Sequence, residues 1–155
     1  MKILLAKNAG YCFGVRDAVD MAYDTAKEHG DVYMLGHIVH NENVVNDLDK
    51  VGAKVVDSLD DVPDGRPVLL RAHGTHVDIT KEANEKKMNI VDATCPLVRD
   101  IHNEIKELEN DGRKIIIIGD HGHDEVVGIA SQVKNPLIVA TSEEAMRLRK
   151  TKRAG

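Results

Sequence analysis

The hydrophobic positions of this 155-residue chain alternate between two periods. Short apolar runs read as strands: KILLA at 2–6, VYML at 32–35, KVV at 54–56, VLLR at 68–71, NIVDA at 89–93, KIIIIG at 114–119 and LIVA at 137–140. Between most of them, apolar residues recur at three- and four-residue steps, the signature of a helix with one buried face. In 15–30 the stripe is Val15, Val19, Ala22 and Ala26, and Gly30 supplies the stop. In 42–52 it is Val44, Val45 and Leu48, with Gly52 at the end. The segment 78–88 is a polar helix with a thin stripe, and 97–112 is a long helix that buries Val98, Ile101, Ile105 and Leu108. A last helix starts at 141–150, where Thr141 and Glu144 have capping-box spacing. The run KIIIIG, β-branched throughout and too short for a core helix, reads as the clearest buried strand. Pro63, Asp64 and Gly65 carry the turn chemistry of the connector 60–67.

Strands alternating with helices imply βαβ units and a mainly parallel sheet, an α/β fold. A boundary is expected at Cys95, with one complete module at 1–95 and a partial second one at 96–155. The second part has only two clear strands, so the chain reads as a piece of something longer.

Composition narrows the classes. Apolar residues at 42% and charged residues at 30% describe an ordinary folded domain. An aromatic fraction of 3% and a net charge of −5 argue against a nucleic-acid partner, whether by base stacking or by phosphate contact. No apolar run is long enough to span a bilayer, and the start is too short and polar for a secretory signal. These features predict a cytoplasmic protein with no membrane partner. In that compartment two cysteines are expected to be reduced, metal-bound or catalytic. The basic tail RLRKTKR reads as a solvated helix end.

Chemistry-bearing residues collect at one kind of position. In open parallel sheets, ligands bind beyond the carboxyl ends of the strands. Both cysteines and six of the eight histidines follow predicted strands: Cys12, His37, His40, His73, His76, Cys95, His121 and His123. Only His29 and His102 fall in helical segments. A single cysteine is most simply a small core residue. Two at matching strand-to-helix corners point instead to thiolates favoured by free N–H groups and the helix dipole. Gly14, beside Cys12, lets backbone approach a bulky group, and Pro96 suits a first helical turn. His37, His76 and His121 read as solvated residues or caps, whereas glycines beside His73 and His123 clear space around an imidazole. Glu125, two residues after His123, suits a proton donor in a shielded pocket. Such a pocket fits a phosphate or diphosphate. Nucleotide-loop motifs and common zinc spacings are absent, and an iron–sulfur cluster normally takes more than two thiolates.

The motifs KILLAKNAGYCFGVRDAV, HIVHNENVV, RAHG, VDATCPLV and GDHGHDEVVG, in this order, resemble the amino-terminal half of the LytB family, the 4-hydroxy-3-methylbut-2-enyl diphosphate reductases. The resemblance implies three similar α/β modules around a 4Fe-4S cluster held by one cysteine from each. Cys12 and Cys95 then match two of the ligands, and the third lies outside these residues, as does the later polar segment of the diphosphate site. His40, His73 and His123 match the histidines that line the diphosphate and hydroxyl site, and Glu125 the acid that delivers protons. The implied reaction is a two-electron reductive dehydroxylation giving isopentenyl and dimethylallyl diphosphates, with ferredoxin or flavodoxin as electron donor. On this reading the 155-residue piece is not expected to turn over by itself. A different class remains open to the residues alone: a non-catalytic α/β module that binds a phosphorylated ligand or a partner chain.

Overall fold

The computed structural model describes residues 1–7 and 9–148. Four parallel strands, β1 (Val32–Leu35), β2 (Ala53–Val56), β3 (Pro67–Leu70) and β4 (Asn89–Asp92), form one sheet in the order β2-β1-β3-β4. The register pairs Val32 with Ala53, Tyr33 with Val68 and Pro67 with Asn89. Alternation along the strands divides the core between two faces. On one face, Ala18, Val19, Ala22 and Ala26 of helix α1 (Phe13–His29) and Leu48 of α2 (Glu42–Asp49) pack on Val32, Met34 and Leu69. On the other, Ala83 of α3 (Val77–Glu85) and Leu59 of a short 3₁₀ turn pack on Leu35, Val68 and Leu70. The predicted parallel α/β arrangement is present.

Beyond β4, α4 (Pro96–Asn110) leads into a second parallel sheet of two strands, β5 (Ile116–Ile118) and β6 (Leu137–Val139), separated by α5 (Asp124–Ala130) and followed by α6 (Ser142–Arg147). Ile105 of α4 packs with Ile115, just before β5, and Val133, in the loop after α5, with Leu108, Ile117 and Ile129 against them. Among the described residues, no helix is long and apolar enough to cross a membrane. The tail beyond Leu148, with most of its basic run, lies outside the described residues.

Four expectations are corrected. Residues 2–6 form no strand: no described strand pairs with them, and Ile3, Leu4 and Leu5 are 77%, 82% and 87% exposed. β5 is buried on one face only. Ile115 and Ile117 meet α4 and α5, whereas Ile116 and Ile118 point away and are 48% and 86% exposed. An unbroken apolar run carries no alternation from which to read which face is covered. In α4 the buried stripe is Val98, His102 and Ile105, and Ile101 is exposed. The capping box at α6 is not reciprocal. Thr141 Oγ1 accepts from the Glu144 N–H at 3.2 Å, but the Glu144 carboxylate accepts from the Ala140 N–H at 2.8 Å and meets His121 Nε2 at 3.0 Å.

Candidate functional site

Strand order creates the site. The chain runs from β1 outward to β2, then crosses back to β3 on β1's other side and on to β4. Loops leaving the carboxyl ends of β1 and β3 therefore diverge, opening the crevice at which parallel sheets bind ligands. His40 ends the loop after β1, and His73 lies in the turn after β3. Their rings stack, with centroids 5.0 Å apart and planes inclined by 21°. His123, from the turn between β5 and α5, stands 6.3 Å from His40 with its ring tilted by 53°. Three predicted histidines from three loops and both sheets thus meet at one place.

The local sequence explains each position. Gly36 leaves β1 with φ +74°, and Gly74 turns the chain after His73 with φ +84°; both conformations suit a residue without Cβ. His123 is the N-cap of α5, and its Nδ1 accepts the Glu125 N–H at 3.3 Å. In the neutral ring this leaves the proton on Nε2, free to donate to an anion. Gly128, inside α5, lies on the His73 turn: a Cβ there would sit 3.5 Å from the Gly74 carbonyl carbon and 3.6 Å from the His73 carbonyl oxygen. That close packing seats the short α5 on the first sheet's active edge.

Electrostatics favour neutral imidazole at the centre. Burial, then the neighbouring His40 ring, hold His73 below the ordinary imidazole pKa of 6.5, against an opposing pull from the Glu125 carboxylate. His73 Nε2 is buried and has no partner among the described residues, so the ring offers a polar atom to a ligand. His40 and His123 are exposed, and Glu125 is half-buried. Glu125 is covalently next to Asp124, whose carboxylate is tied to Arg71 at 2.6 Å.

Both thiols sit at helix N-termini, but only Cys95 follows a strand, because residues 2–6 before Cys12 join no sheet. Cys12 is the N-cap of α1 and Cys95 the N-cap of α4, and neither side chain makes a capping hydrogen bond. Pro96 occupies the start of α4 as expected. The Cys95 N–H donates to the carbonyl of Ala72 at 3.0 Å, tying this corner to the residue before His73. Gly14, in the first turn of α1, faces Cys95 so closely that a Cβ would collide with the sulfur. Both cysteines are free thiols. Among the described residues, no three or more histidine, cysteine or carboxylate side chains are grouped so that they could hold a metal ion. Two free thiols at uncapped helix N-termini, one across a glycine cradle, fit two ligands of an anionic iron–sulfur cluster and do not complete its set.

Among the residues left in bland roles, His76 caps α3 by accepting the Asp78 N–H at 3.2 Å, and His121 pairs with Glu144. His37 is exposed. Sequence reasoning missed Arg71, Asp124, Gly128 and His102. The only signal was a helix-interior glycine in VVGIA and an arginine directly before the AHG turn. His102 is 9% exposed, with its ring against Gly74, and burial, reinforced by Lys106, lowers its pKa below 6.5.

A family model described as LytB protein matches residues 3–154. The 4-hydroxy-3-methylbut-2-enyl diphosphate reductase of Geobacter metallireducens is 40% identical over the whole chain, which covers 55% of that protein. The enzyme of the same name from Clostridioides difficile is 42% identical over 94% of the chain and is covered to 53%. Among solved structures, the E-1-hydroxy-2-methyl-but-2-enyl-4-diphosphate reductase of Plasmodium falciparum superposes with a TM-score of 0.89 at 33% identity, over 92% of this chain and 46% of that one. The chain therefore spans about half the length of the relatives it matches.

Proposed function

The chain belongs to the LytB family, and from that premise we propose that the protein it forms part of reduces 4-hydroxy-3-methylbut-2-enyl diphosphate to isopentenyl and dimethylallyl diphosphates. The balance is two electrons and two protons taken up, one C–O bond broken, one C–H bond formed and one water released. The observation that carries this reading is the meeting of His40, His73 and His123 at the sheet's switch point, with a carboxylate and two thiol-bearing helix N-termini beside it.

His40, His73 and His123 bind the substrate. At His73 a neutral imidazole can donate its N–H to a diphosphate or hydroxyl oxygen without the cost of burying fixed charge. The depressed pKa of His73 supports that role. Glu125 supplies the proton that lets the hydroxyl leave as water, and its seat at the first turn of α5 keeps it beside His123. Cys12 and Cys95 hold two positions of a 4Fe-4S cluster, whose third thiolate comes from outside the 155 residues. When bound, the cluster supplies the electrons and a Lewis-acidic iron for the hydroxyl. Ferredoxin or flavodoxin is the proposed donor, and 1–95 and 96–155 the proposed modules. The 155 residues alone are proposed to be inactive.

The test uses the full-length protein, purified and assayed without oxygen. Reduced viologen should be oxidised in proportion to added 4-hydroxy-3-methylbut-2-enyl diphosphate, at two electrons per product. A cluster-loaded protein that leaves the diphosphate unchanged would overturn the proposal.

A further inference from the structure

The three binding histidines come from two sheets, and something must hold those sheets in register. Arg71, directly after β3, spans the gap. Its Nη1 donates to Asp124 Oδ2 at 2.6 Å, joining residues 53 positions apart in the chain. The side chain is 20% exposed and lies over Gly36, where a Cβ would come within 3.0 Å of Nη1 and 3.3 Å of Cδ and Cζ. Gly36 opens the loop that carries His40, Arg71 opens the turn that carries His73, and Asp124 lies between His123 and Glu125. One guanidinium thus touches all three functional loops.

We propose that Arg71 is a positioning residue: acting through Asp124, it locks the His123–Glu125 turn onto the His40–His73 pair, so that groups from two sheets close on one diphosphate-bearing substrate. This rests on the reading of the site given above. Three observations support it. A largely buried guanidinium is retained only with a partner, and Asp124 is that partner. The ion pair acts at the first turn of a helix of seven residues, too short to hold its own orientation without external contacts. The nitrogen that meets Asp124, Nη1, is also the one nearest Gly36, so a single donor joins the His40 loop to the α5 turn, while Nε is buried with no partner among the described residues. Lysine, a point charge without the flat fork, cannot reproduce the stacking over Gly36 together with the contact to Asp124.

The experiment compares Arg71→Met, Arg71→Lys, Asp124→Asn and the Arg71→Met/Asp124→Asn double variant in the full-length protein. Affinity for inorganic diphosphate is read by calorimetry, kcat and KM are read separately, and iron content and thermal unfolding serve as controls. Misplacement of a binding or acid group by about 1 Å costs on the order of 100-fold. Arg71→Met and Asp124→Asn are each expected to lose roughly 10- to 100-fold in kcat/KM, divided between a higher KM from His123 and a lower kcat from Glu125. The double variant should be no worse than the poorer single, and Arg71→Lys should recover part of the loss. Diphosphate affinity should fall in both single variants. Four results would overturn the proposal: wild-type kcat/KM in Asp124→Asn, losses that multiply in the double variant, loss in Arg71→Met with tighter diphosphate binding in Asp124→Asn (which would make Arg71 an anion ligand), or losses matched by equal loss of iron. Should Arg71→Met fail to fold, the Arg71→Lys and Asp124→Asn pair carries the same comparison. If the wild-type protein itself did not turn over, the functional reading would fall, while the diphosphate affinities would still test the positioning.

Discussion

Gly14 lies against the Cys95 sulfur with no room for a methyl group between them. The first turn of one thiol-bearing helix thereby cradles the thiol of the other, although the two corners are 81 residues apart in sequence by their numbers, 14 and 95. Glycine at a helical position ordinarily costs about 0.5–1 kcal/mol relative to alanine. Here the sign reverses. Gly14→Ala should destabilise the full-length protein by about 1–3 kcal/mol, the usual range for overpacking, and should lower its iron content. Urea unfolding together with iron analysis checks this, and a variant as stable and iron-loaded as wild type would show that the corner has slack.

Cys12→Ser and Cys95→Ser, made separately in the full-length protein and purified without oxygen, should each lose most iron and acid-labile sulfide. The motive is their equivalent placement as N-caps that make no capping hydrogen bond. Serine caps a helix well, so these substitutions should leave secondary structure intact, as judged by circular dichroism. Unchanged iron and sulfide in both variants would remove the two thiols from the ligand set.

Glu125→Gln keeps the shape of the side chain and removes its ionisable proton. General acid assistance contributes about 10²–10⁴-fold, so turnover should fall by roughly that factor while substrate affinity and iron content change little. His123→Ala should instead raise KM, and it also removes the acceptor of the Glu125 N–H. Steady-state kinetics separates the two. Wild-type turnover in Glu125→Gln would move the acid role to another group.

Acid should weaken the fold through one half-buried and one buried histidine. His73 and His102 both have folded pKa values below 6.5, first because burial disfavours the imidazolium and then through His40 and Lys106 respectively. Below pH 6.5 the unfolded chain therefore binds more protons than the native one. Stability from these residues is complete above that value, is lost as pH falls through it, and levels off below the folded pKa values. The urea midpoint of the full-length protein should drop as pH falls below about 6.5, and His102→Leu should reduce that drop. An undiminished drop in the variant would assign the acid sensitivity to other groups.

Local pattern was enough to read the alternation of strand and helix, the parallel α/β class, the placing of Cys95 and of six histidines after strands, and the family. Each of these is written in periods of two or 3.6 residues or in short contiguous motifs, so local chemistry suffices to read them. The stacking of His40 on His73 required the strand order β2-β1-β3-β4, which long-range pairing decides. The same holds for Arg71 with Asp124 and for Gly14 with Cys95, whose partners lie far apart in the chain. Local patterns misled where burial depends on what lies opposite. Among the described residues, the apolar segment 2–6 finds no strand to pair with, Ile118 of β5 finds no covering layer, and the rotation of α4 buries His102 in place of Ile101. A periodic pattern states which residues share a face. Only the assembled sheets state which faces are met, because hydrophobic burial is a property of pairs of surfaces.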